Sequence, residues 1–406
     1  MTETSAAADT RAAQTESDVP FLPVPHPAPL LEVPPPAPPV AGRCDVSIIS
    51  SGHDLADARL HRTAAALLRA GLTVEAIGLG DPVAAPAGVR VVALGPRGGA
   101  LARARRDLAV PLRARGRVLV TLDPDLVPVA AAVRLLRRGR LVVDVHEDYA
   151  KLLRDRPWGA SWKGRLGRAL VRLCTAVSRR ADVTVVADDH VPPLTARRRL
   201  VVKNLPDRGY LPEPGEPDAV PRAVYIGDVR RSRGLATMLA AIESAAPWEL
   251  DIVGPVAAAD RAWLDDWRAG SPAADRVRLH GRQAPGEAWR IARGAWTGFA
   301  LLHDTPAFRE AVPTKLYEYL GSGLAVLATP LPRMARIVHE SGAGRVVRDA
   351  EDAGRILRAW ADRPEELRAL RTAAVAWSVG NLAGASPSDE LARTTGDLVR
   401  AATRSS

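Results

Sequence analysis

Short apolar, β-branched runs alternate with helical stretches along this chain, in two series separated by a break. The first series comprises DVSIIS (45–50), LTVEAIGL (72–79), VRVVALG (89–95), RVLVTLD (117–123), RLVVDVHE (140–147), DVTVVA (182–187) and RRLVVKN (198–204). Leu60, Ala64, Leu67 and Leu68 mark one face of a helix that Gly71 closes. Further helical patterns fall near 99–113, 125–137 and 164–180. The stretch PDRGYLPEPGEPDAVP (206–221) then interrupts the pattern as a proline- and acid-rich linker. The second series is AVYIG (223–227), ELDIVG (249–254), RVRLHG (276–281), TGFALL (297–302) and LAVLAT (324–329). Its helices are expected at 234–245, 258–268, 285–294, 313–322, 350–362 and 364–377, with a last one at 388–402. Strands this apolar suit sheets covered on both faces, and their alternation with helices predicts parallel order.

The expected fold class is therefore α/β, with two Rossmann-like doubly wound domains facing a central cleft. Ligands of such sheets bind outside the carboxyl ends of the strands. The expected divisions are a disordered Pro-rich tail (1–43), a first domain (44–207), a linker (208–221), a second domain (222–378) and a C-terminal segment with the final helix (379–406). The tail contains VPHPAPLLEVPPPAPPV, whose prolines fix φ and remove amide donors.

Charge narrows the partners. The formal net charge is +10, and only Lys151, Lys163, Lys203 and Lys315 are lysines, so arginine carries the excess. Arginine suits phosphates and anionic lipids. Nucleic acid is not expected, because no binding module is readable and aromatics are few. Cys44 and Cys174 are isolated, which argues against zinc and for a reducing compartment. Residues 1–17 lack the apolar core of a signal peptide, and no run of 18 apolar residues appears. A cytoplasmic location is expected. WGASWKGRLGRALVRL (158–173) interleaves Trp158 and Trp162 with Lys163, Arg165, Arg168 and Arg172. That composition suits the inner face of a membrane.

The strongest chemical signal is PAFREAVPTKLYEYLGSGLAVLATPLP (306–332), in which Glu310 and Glu318 stand with seven residues between them. Two glutamates at this spacing are weak evidence alone. Pro313 suits a helix start, so a helix should run from Thr314 to about Gly321. Its first turn leaves the N–H groups of Thr314, Lys315 and Leu316 open, a ready phosphate site beside the Lys315 charge. Glu310 then lies in the preceding loop, and Glu318 one turn into the helix.

These residues resemble the donor-site signature of the retaining family-4 (group 1) glycosyltransferases, which have the GT-B fold. YIGDVRRSRGL (225–235), LDIVGP (250–255) and VRLHGR (277–282) agree with it. SGHDLADARLHRTAAALLRAGLTVEAIG (51–78), LDPDLVPVA (122–130) and VVDVHEDY (142–149) resemble one N-terminal version of the family. The resemblance spans roughly 45–378. It implies that Glu310 contacts the donor sugar, that Glu318 binds the ribose diol and that Arg233 neutralises the diphosphate. His146 would line the facing wall near the reacting sugar. Asp228 stands where many members place arginine, so Arg230 and Arg231 are also candidates for the diphosphate. The donor is expected to be a UDP- or GDP-sugar, used as substrate with no resident cofactor. No DxD-like acidic pair sits in an obvious metal-binding loop, Asp123-Pro-Asp125 reading as the end of a strand and the start of a helix, so metal independence is expected. Retention of configuration comes from the resemblance alone.

The acceptor is expected to be a glycan or lipid-linked. The alternatives are a GT-B sugar-nucleotide epimerase or an inactive scaffold, and a glycosidase using Glu310 and Glu318 as acid and base. Asp57 and Arg59 read as a possible helix-start ion pair, Glu147 and Asp148 as a polar strand end, and His53 and His190 as ordinary loop residues.

Overall fold

The computed structural model describes residues 42–154, 161–206, 211–382 and 386–404. The Pro-rich tail up to residue 41 and Trp158 lie outside the described residues, as does part of the linker.

The first sheet is built from β1 (Val46–Asp54), β2 (Val74–Leu79), β3 (Arg90–Ala93), β4 (Val118–Thr121), β5 (Arg140–Val145), β6 (Val183–Val186) and β7 (Arg199–Val201). All neighbours are parallel, in the order β3-β2-β1-β4-β5-β6-β7. The helices between them are α1 (Ala58–Arg69), α2 (Ala100–Arg113), α3 (Val127–Leu136), α4 (Tyr149–Arg154) and α5 (Trp162–Ser178). The second sheet holds β8 (Arg222–Ile226), β9 (Glu249–Val253), β10 (Val277–Gly281), β11 (Thr297–Ala300), β12 (Ala325–Ala328) and β13 (Gly344–Val346). It is also parallel, ordered β10-β9-β8-β11-β12-β13. Its helices are α6 (Leu235–Glu243), α7 (Ala258–Gly270), α8 (Pro285–Ala292), α9 (Thr314–Gly321), α10 (Pro332–Ser341), α11 (Ala350–Asp362) and α12 (Pro364–Leu382).

Strand period explains how each sheet gets two cores. Along β8, Ala223 and Tyr225 enter the core shared with α6 and α11, while Val224 and Ile226 enter the one shared with α9 and α12. Along β5, Val142 faces one side and Leu141, Val143 and Val145 the other. The twelve strands read from the sequence are present. Strand β13 and helices α4 and α10 are additional.

The final helix, α13 (Pro387–Arg404), packs on the first sheet rather than the second. Leu391, Ala392 and Val399 are buried in the first core, and Arg69 meets Asp389 at 2.9 Å. Strand order reverses between β1 and β4 and again between β8 and β11. Crevices open at these points, and the candidate residues gather at both.

Candidate active site

At the β8–β11 crevice, the loop after β8 and the N-terminus of α9 are held together by packing. Gly298 of β11 has no Cβ because the Tyr319 ring occupies that space, 2.4 Å from where the Cβ would lie. The Tyr319 hydroxyl accepts the Ile226 N–H at 3.1 Å, which ties α9 to the end of β8. Gly234 adopts φ +89°, and a Cβ there would fall 2.2 Å from the Leu301 carbonyl oxygen. That close approach brings the arginine turn 231–233 against the loop after β11.

Helix α9 runs from Thr314 to Gly321, with Pro313 at its cap. No acceptor is found for the Thr314 and Lys315 N–H groups among the described residues, as expected of a first turn. The expectation for Leu316 is corrected: its N–H is bonded to the Pro313 carbonyl at 3.0 Å. Lys315 also differs. Its side chain is buried rather than standing in the open, with Nζ 3.4 Å from the centre of the Tyr225 ring and against Gly227. Among the described residues Nζ has no hydrogen-bond partner. Burial, reinforced by Arg233, holds this amine well below the usual lysine range, despite Glu318 and Asp228.

The three arginines separate. Arg231 turns to Asp260, with Nε at 2.8 Å, and stacks on Trp263, so it is not aimed at the crevice. Arg230 pairs with Asp228 at 3.3 Å. Arg233 sits over the Phe308 ring, 5.8 Å from its centre, and has no carboxylate partner among the described residues. Of the three, Arg233 is left to face an anion beside Lys315.

The two glutamates occupy different surroundings. Glu318 is largely enclosed, 3.8 Å from the Arg62 guanidinium of α1. Burial pushes its carboxyl up, an effect Arg62 and Lys315 offset in part. Glu310 is exposed in the turn before α9. Its carbonyl accepts from Arg333 at 2.9 Å, while the same guanidinium binds Asp188 of the first domain at 2.6 Å and reaches His190 at 3.4 Å. Arg333 thus anchors the Glu310 loop to the opposite wall, and His190 is part of that anchor. Arg282 and Asp54 form another crossing contact at 3.6 Å.

On the first-domain side, His146 lies at the carboxyl end of β5. Its Nε2 is 3.7 Å from Asp144 and has no hydrogen-bond partner among the described residues. Burial and the neighbouring Arg59 charge push it down to about 3, so it is neutral. The expected Asp57–Arg59 pair does not form. Asp57 caps α1 through the N–H groups of Arg59 and Leu60, and Arg59 makes a two-point pair with Asp144. His53 is no ordinary loop residue: it stacks on His146 at 5.5 Å and meets Asp123 at 3.1 Å. Sequence reading missed it because its partners come from distant strand ends, with no local spacing to announce them.

The fold has parallels among known structures. Residues 230–379 match the model of the glycosyl transferase-like family, Glyco_trans_1_2. Sucrose-phosphate synthase from Thermosynechococcus elongatus superposes with a TM-score of 0.64 at 16% identity, over 90% of this chain and 100% of that one.

The fold is that of the GT-B glycosyltransferases.

Two further GT-B structures agree. Anabaena Alr3699/HepE, solved with UDP and glucose, gives a TM-score of 0.62 at 11% identity over 87% of this chain and all of its own. WaaG, a glycosyltransferase involved in lipopolysaccharide biosynthesis, gives 0.59 at 14% identity over 86% of this chain and 98% of its own. No curated protein sequence matches the chain.

Proposed function

We propose that the protein is a glycosyltransferase that moves a sugar from a nucleotide-sugar donor to an acceptor hydroxyl. One observation carries the reading: a buried Lys315 amine without a hydrogen-bond acceptor among the described residues, set beside Arg233 and the open N–H groups of α9. A buried amine with no acceptor is disfavoured in its charged form and is best explained by an anion that arrives to pair with it. A diphosphate supplies that anion, and negative charge grows on it as the glycosidic bond to phosphate breaks. Fixed donors and cations aimed at the leaving group lower the barrier to that step.

In this reading Glu318 takes the ribose diol, Glu310 the hydroxyls of the donor sugar, and His146 faces the sugar from the first domain. UDP or GDP is the proposed nucleotide; HepE structures hold UDP and UDP-glucose. Lys315, Arg233 and α9 supply the positive charge a metal ion would otherwise bring, which supports metal independence. Retention of configuration rests on the resemblance of 306–332 to the family signature.

The acceptor is proposed to be a glycan or lipid-linked sugar at the inner face of a membrane. Helix α5 exposes Trp162 (63%), Leu166 (64%), Leu170 (45%) and Leu173 (53%) at helical spacing on one stripe, with Arg165, Arg168 and Arg172 interleaved. Helix α2, which like α5 packs on α3, exposes Leu101, Leu108 and Leu112. An exposed apolar stripe with basic flanks suits an anionic lipid surface. No helix among the described residues is long and apolar enough to cross a membrane.

The test is nucleotide release from UDP-, GDP-, ADP- and CMP-sugars in the presence of membrane lipid extract. Release from one class, lost in Glu310→Ala, supports the proposal. Absence of both turnover and nucleotide binding across the panel would overturn it.

A further inference from the structure

A buried set of titratable groups outside the β8–β11 crevice lies at the carboxyl ends of β1, β4 and β5. Asp123 organises it. Its Oδ2 accepts the Ser50 hydroxyl at 2.5 Å and the N–H groups of Ser51 and Gly52 at 2.9 and 3.1 Å. Its Oδ1 lies 3.1 Å from His53 Nδ1. The Ser50 hydroxyl in turn accepts the His53 N–H at 2.7 Å. The His53 main chain is thus tied through Ser50 to Asp123, and its ring sits in ion-pair contact with that carboxylate, although Nδ1 makes no hydrogen bond among the described residues.

His146 has no comparable anchor. Both oxygens of its nearest carboxylate, Asp144, are bound by Arg59. Its Nε2 makes no hydrogen bond among the described residues. What bears on the face of its ring is His53, with centroids 5.5 Å apart and planes inclined by 20°.

We propose that His53 is a positioning residue for glycosyl transfer: held against Asp123 by charge, tied through its main chain to Ser50 and stacked on His146, it fixes the plane in which His146 meets the substrate. This rests on the role given to His146 above. The surrounding charges come from every packed element: Asp57 capping α1 and Arg59 within it, Arg103 of α2, Asp123 after β4 and Asp144 of β5, with Tyr149 of α4 also near. Burial opposes a charge on His53, but the Asp123 contact and the Asp57 charge outweigh it and raise the ring to about 9. The two stacked imidazoles thus differ, one cationic and one neutral. A neutral His146 both donates and accepts, which a sugar hydroxyl requires of it; a charged one only donates.

The experiment crosses His53→Ala and His53→Phe with His146→Ala, measuring kcat and donor KM, and follows the His146 ring by NMR titration. Retained nucleotide-induced thermal stabilisation shows that each variant is folded. His53→Ala should lower kcat roughly 10- to 100-fold, as loss of orientation does, with donor KM changed by less than about threefold. His53→Phe keeps a flat ring and should recover most of kcat. In His146→Ala, His53→Ala should add nothing. The His146 midpoint should rise by about one pH unit in both His53 variants, because a neighbouring cation is gone. Independent, multiplying losses, or a His146 midpoint unmoved by His53→Ala, would overturn the inference. If His146→Ala alone turns over normally, the role given to His146 fails instead, and the NMR midpoint then decides the contact between the rings.

Discussion

Arg62 of α1 reaches across the cleft to Glu318 of α9, with Nη1 3.8 Å from Oε1. The carboxylate assigned to the ribose is thus already engaged by the opposite domain in the ligand-free protein. A diol that binds Glu318 must share it with, or displace, a guanidinium. Glu318→Ala should weaken nucleoside diphosphate binding by about 1.5–3 kcal/mol, the range for a hydrogen bond to a charged group. Arg62→Ala should weaken it by less than about 1 kcal/mol, because it removes a competitor together with a screen. Isothermal titration with the preferred diphosphate checks both.

Lys315 gives a prediction with opposite signs for the empty and the loaded protein. Its amine is buried against the Tyr225 ring without a hydrogen-bond partner among the described residues. Lys315→Met should raise the stability of the ligand-free protein by about 1–3 kcal/mol and abolish stabilisation by a diphosphate. The pH dependence follows in the same direction. The folded-state value lies below the usual 10.5, so the unfolded chain holds more protons between the two. Ligand-free stability therefore rises with pH through that window, and the rise should vanish in Lys315→Met. Chemical denaturation at stepped pH measures it.

The His53–Asp123 contact titrates the other way. His53 is raised from 6.5 to about 9, so its contribution is complete below 6.5 and is lost as pH rises through 9. Asp123 is held well below the usual carboxylate range; burial opposes this, and His53 and the Ser50 hydroxyl outweigh it. Its contribution is present at neutral pH and lost in acid. Asp123→Asn should cost about 3 kcal/mol at pH 7 and flatten the decline between pH 6.5 and 9. Urea midpoints across that range provide the check.

The apolar stripe of α5 predicts binding to anionic vesicles that weakens with salt. Leu166→Glu with Leu170→Glu should abolish co-sedimentation. Both side chains are exposed, so folding stability should shift by no more than about 0.5 kcal/mol. No sedimentation of the unaltered protein at low salt would remove the membrane from the account.

Features carried by local chemistry were legible in the sequence. Twelve apolar strands, the helix from Thr314 to Gly321 and the placement of Glu310 before it each follow from short-range pattern. Strand β13 escaped because Gly344-Arg345-Val346 carries a glycine and a charge and offers no apolar run. Contacts between distant segments were not legible. Asp57 and Arg59 look like natural partners two residues apart, yet Arg59 spans to Asp144 because β5 ends beside α1. Arg231 and Arg233 are indistinguishable as neighbours in a basic run. Asp260 on α7 takes the first, and the Gly234 turn sets the second over Phe308.

The most direct measurement is a thermal-shift and calorimetric panel of UDP, GDP, ADP and CMP against the unaltered protein, Lys315→Met and Glu318→Ala. The account predicts that one diphosphate stabilises the unaltered protein, that Lys315→Met removes the response while standing as firm or firmer on its own, and that Glu318→Ala weakens it. A response that survives Lys315→Met unchanged, or no response to any nucleotide, would contradict the claim that Lys315, Arg233 and α9 form a diphosphate site.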